Sequence, residues 1–246
     1  MDAANVNSPA STREGRAADR ATGQMTGHLT RRREKTRGRP RADAGESVDE
    51  ASLLRTAFAM FATHGYGAAT MRAMARELGV SHNLLNVRFG KKSQLWKASV
   101  DWRLKEAARE VELAFDPSHP PEEQLRDLIH RFCRWAIINS DIVAMSHLEG
   151  REPSWRLDYM TESFTLPFQR RLQDLLEQVG SGTALRPIDS GALLALLVHG
   201  VGSYFALAPM HDRLLPDLPG DGAANPSPED RADAMARFLL AGLFSA

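Results

Sequence analysis

Apolar side chains recur at intervals of three and four along nearly the whole chain from residue 50 onward, a spacing that predicts helices throughout. Leu54, Phe58 and Phe61 line one side of a first helix, Ala57 and Ala62 lie beside them, and Gly65 closes it. Ser47, three residues ahead of Glu50, has the form of a capping box at its start. A short second helix carries Met71, Met74, Ala75 and Leu78 on one face. Gly79, free to take positive φ, ends it; Ser81 then caps a third helix by accepting a bond from a free amide of the first turn. A long fourth helix is expected from about residue 92 to about 115, with Leu95, Trp96, Val100, Leu104, Ala107, Ala108 and Val111 at helical intervals.

The pattern continues to the end of the chain. Residues 121–139 open with proline and acids, which suit a helix start, and carry Leu125, Leu128, Ile129, Phe132, Trp135 and Ala136 as a stripe. Helices are expected near 141–150 and 154–179, the second kinked or restarted at Pro167. Residues 187–207 form the most apolar helix. The last one opens at Ser227-Pro228 and runs through Met235, Phe238, Leu239 and Leu243. No alternating run of four or more residues suggests a strand, so the fold class is all-α: a three-helix head on a larger helical bundle. Residues 192–208 fall short of a membrane span of about 20 strongly apolar residues, being interrupted by His199, two glycines and a serine. Gly200, Gly202 and Ser203 instead permit close helix approach, and this helix with the last one is expected to form a dimer seam.

Residues 70–92 carry the most chemistry. Ala75 lies four before the turn glycine and Leu85 six after it, the spacing of a helix-turn-helix whose second helix enters the DNA major groove. An ordinary helical hairpin is the bland alternative, and the flanks argue against it. Ser81, His82, Asn83, Leu84, Asn86 and Arg88 are expected to face the groove or its walls. His82 and Asn83 can pair with base edges, Leu84 can pack on a thymine methyl, and Arg72 can reach a guanine from the second helix. Lys91 and Lys92, at the start of the fourth helix, can neutralise phosphates. Upstream, residues 31–41 hold seven arginines or lysines against one acid, and Arg37-Gly38-Arg39-Pro40 keeps the backbone extended. An extended basic strand suits a narrow minor groove, which places Arg39 there.

Charge divides the chain in the same way. Basic and acidic residues balance overall at 31 each, but residues 48–105 hold nine basic against four acidic and residues 106–246 twelve against twenty-one. A basic amino-terminal part on an acidic remainder is the asymmetry of a nucleic-acid-binding domain joined to a domain with another task. Three regions follow: a basic arm at 1–46, poor in large apolar residues and expected to be disordered; a helix-turn-helix domain at 47–96; and a helical effector-binding and dimerisation domain at 97–246.

Residues 48–96 resemble the DNA-binding domain of the tetracycline-repressor (TetR) family of bacterial transcriptional regulators. The resemblance rests on Leu54, Ala57, Phe58, Phe61, Gly65-Tyr66, Thr70, Met71, Ala75, Leu78-Gly79-Val80-Ser81, Leu85, Phe89-Gly90, Lys92 and Leu95. It implies dimerisation through the final two long helices as a four-helix bundle, and a carboxy-terminal domain that varies with its ligand. Two positions depart from the pattern. Asn86, Val87 and Arg88 stand where the family usually carries an aromatic-rich stretch with tyrosines, so Asn86 or Arg88 would replace the tyrosine-to-phosphate contact. Lys91 stands where a capping serine is common, so the fourth helix should start with a weaker cap.

Catalysis finds no support in the sequence. The eight histidines form no HExxH or comparable metal pattern, and GxGxxG, P-loop and GxSxG motifs are absent. Neither cofactor nor metal is expected. The reading is therefore a sequence-specific DNA-binding regulator: a homodimer on a two-fold-symmetric operator, acting as a repressor released by a small, lipophilic ligand. Trp135, Met145, Trp155, Phe164, Phe168 and His199 are the candidate pocket residues, although aromatic stripes more often serve as plain core. The alternatives are an architectural protein that binds A·T-rich DNA without an effector and, more distantly, an adaptor whose head binds protein. The lone cysteine, Cys133, and the lack of a long apolar run near the amino terminus suggest a bacterial cytoplasmic protein, nucleoid-associated when bound and with no membrane partner.

Overall fold

A computed structural model describes residues 49–180, 185–214 and 226–244. Helix α1 (Glu50–Ala68) is followed by α2 (Met71–Glu77), α3 (His82–Phe89) and the long α4 (Lys92–Glu112). Then come α5 (Pro121–Ile138), α6 (Ser140–Glu149), α7 (Trp155–Met160) and α8 (Leu166–Gly180). The chain ends with α9 (Ser190–Ala195), α10 (Ser203–Ala206), α11 (Ala208–Leu214) and α12 (Pro228–Leu243). Among the described residues the only extended pairing is an isolated bridge between Leu185 and Phe244. The all-α expectation holds.

Local chemistry sets most boundaries. Gly65 breaks α1 at φ 74°, and Gly79 at φ 64° separates α2 from α3. At the start of α1, however, Asp49 is the cap, its carboxylate accepting the Ser52 N–H at 3.3 Å. The proposed partner Ser47 lies outside the described residues. Ser227 and Asp230 form a reciprocal capping box at α12, with Pro228 at the first helical position. Two of the expected helices contain wide π turns, one near the break expected at Pro167 and one in a segment expected to be continuous. Thr161–Thr165 joins α7 to α8 just ahead of Pro167, where the missing amide and the ring disfavour regular helix. Leu196–Gly202 joins α9 to α10, with glycines at 200 and 202.

Buried side chains form two clusters. One gathers Phe58, Phe61, Met74, Leu85, Leu95 and Trp96 of the first four helices with Ile142, Met145 and Met160 of α6 and α7. The other joins Leu125, Leu128, Ile129 and Phe132 of α5 to Leu172 and Leu175 of α8, Leu193 and Leu197, and Ala232, Ala236 and Leu240 of α12. Trp135 packs against both, and its indole N–H donates to the Ala107 carbonyl at 2.8 Å. Helix α4 is also held by polar bonds. Arg103 grips Asp141 of α6 with two bonds of 2.8 and 2.9 Å, and the Tyr159 hydroxyl of α7 donates to Asp101 at 2.6 Å. Burial, followed by that bond, pushes the Tyr159 phenol up to about 12. The helix leading out of the head is thus bonded directly to the elements behind it.

Candidate nucleic-acid interface

The turn between α2 and α3 is built from small residues and backbone bonds. Thr70 caps α2 by accepting the Ala73 N–H at 3.1 Å. Beyond Gly79, the Val80 N–H donates to the Ala75 carbonyl at 2.9 Å, folding the chain back over a buried alanine. Ser81 Oγ then accepts the Leu84 N–H at 3.2 Å, as its position ahead of the third helix led one to expect. Leu85, 1 % exposed, anchors α3 from within.

With Leu85 pointing inward, helical geometry sends Asn83 and Val87 outward and Leu84 and Asn86 to the flanks, while His82 and Arg88, one turn either side of Leu85, border the buried edge. His82, Asn83, Leu84, Asn86, Val87 and Arg88 are all exposed. Asn86 Nδ2 and His82 Nδ1 lie 3.1 Å apart, one helical turn along the face; this uses one donor of the amide and one ring nitrogen, and each side chain keeps further groups for a base edge. Val87 is not among the residues that the sequence singles out for DNA, yet it is 77 % exposed in the middle of this face. Its lying two residues from the buried Leu85 is the signal that it faces out.

The basic residues around α3 have different surroundings. Arg88 lies 3.8 Å from Glu50 in an exposed pair, of a kind worth little in water and open to exchange for a phosphate. Arg72 and Lys91 are exposed. Lys91 supplies no capping acceptor; the Gln94 side chain accepts the Lys91 N–H at 2.9 Å, giving the weak helix start that the missing serine implied. Lys92 turns inward. Its ammonium donates to the Gly67 carbonyl at 3.3 Å and sits 4.3 Å over the Tyr66 ring, where burial and then Arg156 lower its pKa. Arg39 lies outside the described residues.

The six pocket candidates do not converge on one cavity. Trp135 stacks at a tilt on Phe132, Phe168 meets Phe115 edge-on, and Met145 is wholly buried. Trp155 sits edge-on to Tyr66 and Trp96, Phe164 lies against Tyr159, and His199 stacks on His147. Trp135, Phe164 and Phe168 pack between helices, as aromatic residues at helical spacing most often do, while Trp155 and His199 are exposed. Two surface concavities are lined by other residues. One, of about 390 Å³, is an apolar groove lined by Leu196, Gly200, Val201, Ala234, Met235, Phe238 and Leu239. Phe238 is 79 % exposed there, because Ala232, Ala236, Leu240 and Leu243 form the inner stripe of α12. The other lies against α11, beside Leu207 and Met210.

The model for bacterial regulatory proteins of the tetR family matches residues 53–98, which hold nearly all of α1 together with α2, α3 and the first turns of α4. The head is a tetR-family domain. Solved structures share the fold over most of the chain. The ketosteroid transcriptional regulator KstR2 of Mycobacterium tuberculosis is 17% identical with a TM-score of 0.60, covering 82% of this chain and 98% of its own. AibR, solved in complex with isovaleryl coenzyme A and operator DNA, is 15% identical with a TM-score of 0.60, covering 76% and 95%. PfmR, a TetR family transcriptional regulator from Thermus thermophilus, is 22% identical with a TM-score of 0.57, covering 79% and 96%. At these identities the likeness is one of fold: a helix-turn-helix head on a helical domain. No curated protein sequence matches the chain. TetR-family proteins are DNA-binding regulators rather than enzymes, and no described helix is long and apolar enough to cross a membrane.

Proposed function

We propose that this tetR-family chain is a homodimeric repressor that reads a two-fold-symmetric operator through α3 and leaves it when a small, lipophilic ligand binds. The observation that carries the reading is the outer face of α3: six side chains over two turns, none acidic, exposed on a helix fixed from behind by Leu85. His82 and Asn83 contact base edges, Leu84 and Val87 meet thymine methyls, and Arg72 reaches a guanine. Asn86, Arg88, Lys91 and Lys92 serve the phosphates; Lys92 must first leave Tyr66 and Gly67. The arm of residues 1–46 lays Arg39 in the adjoining minor groove, residues 47–96 read the operator, and residues 97–246 bind ligand and partner.

The groove between the Leu196–Gly202 turn and α12 supports the dimer, since an apolar strip centred on an exposed phenylalanine needs a cover and the same strip on a second copy supplies one. A pair of heads then reads two half-sites about 34–36 Å apart or a multiple of that. Ligand release requires a compound that prefers the off-DNA spacing of the heads, because only differential affinity shifts the equilibrium. The bonds from α4 to Asp141 and Tyr159 give a route for that preference to reach the head. KstR2 is named for ketosteroids, in keeping with a largely apolar effector here, whereas the isovaleryl coenzyme A bound to AibR is apolar only in its short acyl group.

A salt titration tests the phosphate side of this reading. Changing Arg88 and Lys91 to alanine is expected to weaken binding on every sequence. It should also flatten the dependence of log K on log salt, by about 0.9 for each phosphate no longer neutralised. An unchanged slope would remove both residues from the interface.

A further inference from the structure

The bond that turns Lys92 inward belongs to a run of contacts leading from the head into the helices behind it. Lys92 Nζ donates at 3.3 Å to the Gly67 carbonyl, one of the last of α1 and beyond the reach of an intrahelical amide. The same ammonium stands 4.3 Å over the Tyr66 ring. That ring is fixed from two sides: it stacks on Phe61 of the head's core at 5.9 Å and meets Trp155 of α7 edge-on at 5.5 Å. Arg156, the next residue of α7, places its guanidinium 4.8 Å from the same ring centre. A 2.7 Å bond to the buried Glu149 of α6 holds it there. One ring thus serves two cations, one from the helix that leaves the head and one from α7.

We infer that Tyr66 and the Gly67 carbonyl form an autoinhibitory seat that keeps the Lys92 ammonium from DNA phosphates in the free chain, and that Arg156 sets how firmly it is held. The inference rests on the operator reading given above. To bind DNA, the ammonium must exchange a ring and a carbonyl for a phosphate, so whatever stabilises the seated form subtracts from operator affinity. The ring face and the negative end of the α1 dipole favour the seat. Burial and the like charge of Arg156 oppose it, and both also lower the Lys92 pKa.

The two sides come from different parts of the fold. Tyr66 and Gly67 belong to the head, whereas Arg156 is tied through Glu149 to α6, whose Asp141 grips α4. A shift of α7 that carries Arg156 away from the ring tightens the hold on Lys92, and a shift toward it loosens the hold. A change in the helical domain therefore reaches a phosphate contact with no rearrangement of α3. Tyr66 and Arg156 are positioning residues in this scheme, since neither has to touch DNA.

The test uses the full chain with ¹³C-labelled lysine side chains and an operator fragment selected by the wild-type protein. In the free chain the Tyr66 ring current is expected to shift the Lys92 ε-methylene protons upfield, a signal assigned by its loss in Lys92→Met. Operator should return that signal to the ordinary lysine position, and Tyr66→Leu should abolish the shift without DNA. Tyr66→Leu is also expected to bind operator about two- to fivefold more tightly per head, with an unchanged salt slope, while Tyr66→Phe, which keeps the ring, binds as the wild type does. Lys92→Met should bind more weakly, with a slope lower by about 0.9 per head, and adding Tyr66→Leu to it should change nothing further. The Glu149→Gln/Arg156→Gln double variant, unchanged in net charge, removes the opposing cation and should weaken binding only while Lys92 is present. An upfield lysine signal that operator leaves in place, or a folded Tyr66→Leu variant with unchanged affinity, would overturn the seat and leave the operator reading standing. Should Tyr66→Leu not fold, the wild-type signal with and without operator decides alone. Failure of the wild type to select any motif would overturn the operator reading, and the inhibitory role of the seat with it.

Discussion

Glutamate in place of Phe238 or Leu196 is expected to give folded monomers in place of the proposed dimer and to weaken operator binding by about two orders of magnitude or more. Both side chains are exposed in the single chain, at 79 % and 48 %, so a carboxylate at either position meets water and costs the monomer little. In the proposed dimer the same carboxylate would be buried in an apolar groove without a partner, where an uncompensated charge costs several kcal/mol. The weaker hold on DNA follows because the second head no longer benefits from the tethering of the first. Light scattering and a thermal melt give the two readings together. Monomers with an unchanged melting transition support the seam. A dimer that persists with full affinity would put the interface on another face.

The second large effect concerns the outer face of α3. Replacing His82 and Asn83 together by alanine is expected to lower affinity for the selected operator by about a thousandfold or more. Removing one base-reading side chain costs about 1–3 kcal/mol, and a two-fold complex suffers that cost in both halves. Binding to unrelated duplexes should change far less, because it rests on phosphates. Neither side chain is part of the buried core, and the bond from Asn86 to His82 is an exposed one, so the fold should stand. Competition titrations against operator and random DNA measure the difference. An equal drop on both would mean that these residues support general attraction rather than reading.

What is legible in the sequence and what is not divides along the range of the interactions. The α2–turn–α3 unit is legible because its determinants are local: Thr70 and Ser81 bond within three residues, Gly79 supplies the positive φ, and Leu85 sets the phase. The capping box at Ser227 is legible for the same reason. The start of α1 is not, because Asp49 stands nearer the first turn than Ser47 and offers an equally good acceptor. The inward turn of Lys92 depends on Tyr66 and Gly67, the latter 25 residues away along the chain, and no local pattern announces it. Phe238 reads as part of the apolar stripe of the last helix, yet small residues at 232 and 236 let α12 approach α5 closely and turn the phenylalanine outward. The aromatic residues that suggest a ligand pocket do so by composition, and composition does not distinguish a ring that packs between helices from one that lines a cavity.

Whether α3 reads duplex DNA as one half of a two-fold pair is the central question, and the most direct measurement is selection of bound fragments from random DNA by the full chain. The expected outcome is enrichment of a two-fold-symmetric motif with half-sites one helical turn or a multiple apart, about 34–36 Å per turn, and disappearance of that motif in the His82/Asn83 double variant. Enrichment for A·T content alone, unaltered in that variant, would contradict it.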